Sequence, residues 1–491
     1  MRHDAMNKYK RLLSNTVILA VGTFSSKVLV YLLLPLYTAM LSPAEYSDAN
    51  IISQIANLIM PVAAIGVCDG LFRFALDAGE KKREVFSSGI TILTLGTLLF
   101  LAVSPLLFKL DMLTGYAWLA IIYVIAANYQ LACANYIRAL GRTTVFAVQG
   151  IINTALNIAF NILFLVVFKM GVYGYVLSVV VANVIVTVIM VMWQKLYRDL
   201  GISLFDRRIA ADMLKYSAPM IPTSIFWWLT SVSGQFLVKY ICGDEANGIF
   251  AASYKIPTVL TLMTTIFIEA WQYSAVADAD DGDRGEFFSK VFRTYSGLIF
   301  MAASALAALA KIFASFMLAD DYYSAWQYMP TLVIATTFSA VTTFLGSIYM
   351  VKKKSMLSFL TSMCGAVLNV GICLILVPKY GAQGAAIAAA VSYFAVFAIR
   401  AVNTQKYVRF DMHPAVIALN AVILIFQCAV MVLEVRYWVA IEAVCFLLIF
   451  VLNAKPIIEG ALMLLRGFLG AVRGRGRGVG ASDAGSDRED D

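Results

Sequence analysis

The chain has 491 residues, of which 61% are apolar and only 14% charged, and its formal net charge is +8. Too few polar side chains remain to solvate the surface of a water-soluble protein of this length, which excludes that class. The basic excess does not point to nucleic acid, because it sits in loops between apolar runs, where membrane topology accounts for it.

Taken in chain order, Met1 to Asn15 is polar and basic, and the apolar run after it reaches Met40 with no small-residue cleavage site. It therefore reads as a first spanning helix rather than a removable leader. Further runs at 50–76, 86–108, 116–138, 145–168 and 172–193 complete a first set of six. A second set follows at 216–240, 247–274, 291–316, 324–350, 356–378 and 382–402, and a last pair at 414–434 and 437–453. Runs of this length are expected to be helices, since lipid forbids unpaired strand edges.

The expected fold is all-α: a polytopic membrane protein of about fourteen transmembrane helices, with two six-helix lobes (1–193 and 216–402) and an additional C-terminal pair (414–453). Residues 194–215 read as a cytoplasmic interfacial linker, with Leu196, Leu200, Ile202, Leu204 and Phe205 among charged neighbours. Residues 456–491 read as an amphipathic segment and a disordered tail; its Arg473, Arg475 and Arg477 suit anionic lipid headgroups better than RNA.

Basic residues alternate between loops. Lys81–Arg83, Arg138 and Arg142, the linker, Lys352–Lys354, and Arg400 with Lys406 and Arg409 all fall on one side, which places both termini in the cytoplasm. The halves also echo one another. A basic loop, an apolar helix with an interior Asn and a GxxG element occur in that order at Arg138–Gly174 and again at Lys352–Gly384. Equal polarity of the two units implies lobes related by an axis along the membrane normal, with a shared cavity between them.

Polar groups inside the spans carry the functional reading. Lys27 lies midway along helix 1, with Tyr31 one turn further on, and Lys255 lies within helix 8 beside Tyr254. A lysine there costs about 2.5–3.5 kcal/mol to insert, so each is expected to face protein or a watery chamber. One cation from each lobe suits an anionic cargo, with Lys27, Lys255, Arg73, Tyr31 and Tyr254 as headgroup-binding candidates. Asp69 and Glu269, near the cytoplasmic ends of helices 2 and 8, are candidates for ion coupling, or for structure, as in a salt bridge from Asp69 to Arg73 one turn away. Glu45 and Asp48 read as helix-start residues, and Trp227, Trp228 and Trp271 as interfacial anchors.

Only His3 and His413 occur, no CxxC spacing exists, and no Walker A, GxSxG or HExxH pattern appears. Neither a catalytic residue, a metal nor a cofactor is expected, and the chain reads as a transporter rather than an enzyme.

Several stretches resemble one family in order and spacing: Gly22–Lys27 (GTFSSK), Leu34–Thr38 (LPLYT), Leu41–Tyr46 (LSPAEY) and Gly70–Phe74 (GLFRF). Ser217–Pro222 (SAPMIP), Ala246–Pro257 (ANGIFAASYKIP) and Ala270–Trp271 continue the series. These resemble the bacterial polysaccharide flippases of the multidrug/oligosaccharidyl-lipid/polysaccharide (MOP) exporter superfamily. The resemblance implies movement of an undecaprenyl-pyrophosphate-linked oligosaccharide from inner to outer leaflet of the bacterial cytoplasmic membrane. It further implies a cationic cavity in which Lys27 and Lys255 contact the headgroup and Arg73 assists from the cytoplasmic side. Helices 13 and 14 resemble the extra pair of peptidoglycan-precursor flippases, which borders a groove for the lipid tail. The partners implied are a polyprenyl-pyrophosphate-linked glycan, membrane lipids, and glycosyltransferases or a polymerase of the same pathway. Two alternatives stay open: a cation-coupled multidrug or metabolite antiporter of the same fold, and a non-transporting scaffold for glycan assembly.

Overall fold

The computed structural model describes residues 33–479 apart from Glu80, Pro219, 278–283 and Lys353. Among the described residues all regular structure is helical. The chain runs through α1 (Leu34–Met40), α2 (Pro43–Ala63), α3 (Val67–Asp77), α4 (Lys82–Val103), α5 (Ala117–Ala139), α6 (Thr143–Asn161) and α7 (Gly171–Trp193). Next come α8 (Arg207–Ser217), α9 (Met220–Cys242), α10 (Asp244–Lys255), α11 (Thr258–Ala277), α12 (Arg284–Ala308) and α13 (Ala310–Met317). The last four are α14 (Met329–Val351), α15 (Ser355–Thr404), α16 (Pro414–Val432) and α17 (Trp438–Val479).

Nine helices among the described residues are long and apolar enough to cross a membrane, or eleven if two bent pairs each count as one span. The expected fourteen are not all distinguished. The first begins outside the described residues, α9 is a 23-residue helix enriched in Ser, Thr and Gln, and the eleventh and twelfth join in α15. Within α15 two helices meet at Gly381, whose φ of 58° and ψ of −142° interrupt the helical path.

Both GxxG elements use their glycines alike. Gly171 and Gly381 take positive φ at the turn, 55° and 58°. Gly174 and Gly384 let the returning helix close on the preceding one, a Cβ at Gly384 falling 2.4 Å from the Leu376 carbonyl oxygen. A side chain at Gly381 would enter a region open essentially to glycine alone, at about 1–3 kcal/mol. Gly381→Ala is thus expected to lower the thermal unfolding midpoint in detergent, whereas Gly371→Ala, with open space around its Cβ, should leave that midpoint within error.

The linker is docked rather than loose. Ser87 Oγ donates to the Gly201 carbonyl at 2.8 Å, the Asp206 amide donates to Ser88 Oγ at 3.0 Å, and Arg83 pairs with Asp199 at 2.7 Å. Asp206 caps α8, accepting from the amides of Arg208 and Ile209 at 2.7 and 3.2 Å, and those N–H groups hold its carboxyl below the usual aspartate range. Ile202, almost wholly exposed on this segment, fits an interfacial position. The end of α8 seats on α3, where Gly66 and Gly70 approach Ser217.

Helices α2–α7 pack mainly on one another, as do α9–α15, while α16 and α17 pack together against α12 and α14. The core of the C-terminal half is aromatic: Trp271 is buried among Phe267, Phe288 and Phe344 and donates its indole N–H to Ser347 Oγ at 3.0 Å. It is a core residue and not the interfacial anchor its sequence position suggests. The backbone of α17 stays helical past Pro456 to Val479, into the stretch from Arg473 expected to be disordered. Extending a helix already templated by a packed span adds one hydrogen bond per residue fixed, without a new nucleation cost.

Candidate functional site

Two spanning helices are broken, and they are the second of each expected six-helix set. The pair α2/α3 bends by 53° and the pair α10/α11 by 41°. The first break follows Pro61 and is completed by Ile65 and Gly66, both at positive φ, so that α3 starts afresh at Val67. The second falls at Ile256–Pro257, where proline lacks the N–H that would continue the ladder. Counted from Pro43 and Asp244 the breaks lie 21 and 12 residues in, or about 31 and 18 Å at 1.5 Å per residue. Broken helices present unpaired backbone groups and helix ends to a cavity, which is where transporters place their sites.

The segments ahead of the breaks, α2 and α10, press together. A Cβ at Gly248 would lie 1.8 Å from the Pro43 carbonyl oxygen, so only glycine permits this approach. Around it Asn247 Nδ2 donates to Ser47 Oγ at 2.9 Å, Asn50 Nδ2 to Gln235 Oε1 at 2.5 Å, and Trp228 Nε1 to the Gln54 carbonyl at 2.9 Å. Lys239 Nζ bridges Asp48, at 2.7 Å, and Asp244. The Tyr322 hydroxyl donates to the Leu41 carbonyl at 2.9 Å, above a packed cluster of Tyr37, Tyr46 and Tyr175. Together these contacts form one seam joining the two halves.

Glu45 does start a helix, in a capping box with Ser42. Asp48 does more than sequence position suggests, because it ties the N-terminal half to Lys239 of the other. In the sequence Gly248 stands out only as part of the Ala246–Pro257 stretch.

Lys255 is half-buried in the last turn of α10, immediately before the break. Its ammonium has no hydrogen bond or ion pair among the described residues. Tyr254 turns instead into its own half, edge-on to Phe250 at 5.2 Å and packed near Leu332, Cys373 and Val377. Asp69 and Arg73 are exposed one turn apart on α3. Asp69 lies in the first turn of that new helix, where the amide dipoles favour a carboxylate, and has no side-chain partner among the described residues. Lys27 and Tyr31 lie outside the described residues, and so does the Glu269 side chain, although its backbone belongs to α11. The structure thus brings Lys255 and Tyr254 to one helix break and Asp69 and Arg73 to the other.

Arg400 was counted from sequence among the cytoplasmic loop charges. It is instead buried inside α15 at 5% exposure. Elsewhere, α16 and α17 line a wholly apolar groove of ≈ 510 Å³ with Ile423, Phe426, Ile441 and Val444.

Residues 12–271, 260 of the 491, match the family described as polysaccharide biosynthesis protein. No curated protein matches the chain significantly. Among solved structures it resembles the lipid II flippase MurJ in an inward closed conformation, with TM-score 0.69 and 12% identity, covering 91% of this chain and 100% of that one. It also resembles an inward-facing multidrug resistance MATE transporter of the MOP superfamily, with TM-score 0.62 and 15% identity over 79% of this chain and 98% of that one. A MOP superfamily transporter from Pyrococcus furiosus, described as having a binding pocket of reverse polarity, aligns with TM-score 0.57 and 15% identity over 81% and 96%.

Proposed function

Because the chain belongs to the polysaccharide biosynthesis protein family and shares its fold with MOP superfamily transporters, we propose that it is a transporter, and specifically a flippase. Its cargo is a polyprenyl-pyrophosphate-linked oligosaccharide, moved from the inner to the outer leaflet of the bacterial cytoplasmic membrane. The observation that supports this most is the break in the second spanning helix of each half, with the segments ahead of the two breaks packed against each other.

In this reading the fourteen helices form two six-helix lobes and a terminal pair, with both termini cytoplasmic. The lobes rock about the seam. With the outer halves of α2 and α10 closed, the headgroup enters from the cytoplasm and meets Lys255, with Lys27, Tyr31 and Arg73 as further contacts, while Tyr254 packs into its own half behind the break. Opening the seam then releases it outside, while the prenyl tail stays in lipid along the groove between α16 and α17. An unpaired ammonium held beside a helix break supplies a point charge for a phosphate without first having to leave a carboxylate partner. Membrane potential adds about 2.3 kcal/mol per charge per 100 mV to outward movement of an anionic headgroup. Glycosyltransferases would supply the substrate and a polymerase would consume it.

The likeness to antiporters of the same fold supports a second reading, cation-coupled export. Asp69 fits that role less well, since its place in a helix first turn already accounts for a carboxylate there. Proteoliposomes holding the purified protein and a fluorescent polyprenyl-pyrophosphate glycan decide between them. Flipping at a rate above protein-free vesicles is expected. No flipping of any lipid-linked glycan, together with proton- or sodium-driven drug efflux, would establish the antiporter instead. Inactivity in both assays, with glycan export lost in cells lacking the protein, would indicate a scaffold.

A further inference from the structure

Arg400 is the most buried cation among the described residues and has no carboxylate within reach there. Its guanidinium Nε donates to Thr361 Oγ1 at 3.0 Å, Nη1 to the Thr342 carbonyl at 3.1 Å and Nη2 to Ser362 Oγ at 3.3 Å. All three acceptors are neutral, and two of the five N–H donors of a guanidinium are left over. The nearest π face, Tyr349, sits 5.8 Å away and compensates little. A full positive charge is thus held in the protein interior without a counter-charge, an arrangement that costs several kcal/mol if it stays so.

The surroundings show how the charge can be met. Arg400 lines a cavity of ≈ 30 Å³ together with Thr342, Ser362, Thr230, Ser339 and Tyr393, contributed by α9, α14 and both arms of α15. Thr342 Oγ1 is buried and has no hydrogen-bond partner among the described residues. A hydroxyl can turn its proton toward an anion, and this one has no competing obligation. A space of this size suits a halide better than a tetrahedral oxyanion.

We propose that Arg400, Thr342 and Ser362 form a binding site for a single chloride-sized anion inside the C-terminal half. The anion neutralises the guanidinium and ties α14 to α15, independently of the transported cargo. Gly346 leaves the room this requires, since a Cβ there would stand 2.5 Å from Arg400 Nη1.

The test is thermal unfolding of the purified full chain in detergent as gluconate is replaced by chloride at constant sodium and ionic strength. The midpoint is expected to rise by about 2 °C, saturably, and bromide should act like chloride while sulfate and phosphate should not. Thr342→Val should fold normally in gluconate and lose at least half of the shift. Arg400→Met should lose all of it; if that variant fails to fold, Thr342→Val and Ser362→Ala carry the test. No chloride shift in the wild type, an equal shift with sulfate, or an undiminished shift in Thr342→Val would each overturn the proposal.

Discussion

Gly248→Ala is expected to open the outer face of the protein and to cut turnover at least tenfold. The added Cβ would sit 1.8 Å from the Pro43 carbonyl oxygen and 2.5 Å from its carbon, and both are backbone atoms that no rotamer change can move. A close-packed interior cannot absorb such an overlap locally, so α2 and α10 must part. Overpacking of this kind costs about 1–3 kcal/mol or more, which shifts a two-state equilibrium by roughly 5- to 150-fold away from the sealed form. The check is labelling of Ser47→Cys by a membrane-impermeant maleimide in intact cells, with the exposed Cys242 first replaced by serine. Ser47 is fully buried beneath Asn247 in the sealed form. Labelling should rise at least tenfold in the Gly248→Ala background and stay unchanged with Gly371→Ala, whose Cβ meets open space. Equal labelling in both would show that the seam is not a gate.

Lys255→Met should reduce glycan translocation at least tenfold while leaving the unfolding midpoint unchanged or slightly raised. Its ammonium is half-buried, has no partner among the described residues, and costs about 2.5–3.5 kcal/mol to hold within the bilayer. Removing it therefore orphans nothing in the protein and strips the binding site of its charge. The structural alternative is a cation placed to meet the C-terminal dipole of α10, which is worth about 0.3–1 kcal/mol. In that case Lys255→Met would lower stability and spare the rate. Lys255→Arg, which keeps the charge but changes its shape, should restore part of the flux. A variant with normal flux and a lowered midpoint would move Lys255 out of the substrate site.

Legibility followed the range of the interactions. Lys255 could be found from sequence because a charge inside an apolar run is conspicuous on its own. The break at Pro257 beside it is not legible, since the run 247–274 reads as one span, yet the helix ends there. Pro61 lies inside α2, but the interruption falls at Ile65–Gly66, where the end of α8 docks against Gly66 and Gly70. That docking joins residues some 150 positions apart, and no local pattern encodes it. Trp271 and Arg400 were misplaced for the same reason. Each stands near a segment end, where interfacial or loop positions are usual, and each is drawn into the core by neighbours distant in the chain.

What the sequence determined alone was everything that depends on transfer from water to lipid: helical spans, their punctuation, the alternation of loop charge, and the paired GxxG turns. Those properties are sums over neighbouring residues and need no knowledge of the fold. Only the tertiary structure decided that α2 and α10 close on each other, that Asp48 reaches Lys239, that Gly248 admits the Pro43 carbonyl, and that Arg400 sits among hydroxyls rather than acids. Such facts are matters of distance between groups far apart along the chain, and a distance is set by how helices pack, which apolar periodicity leaves open.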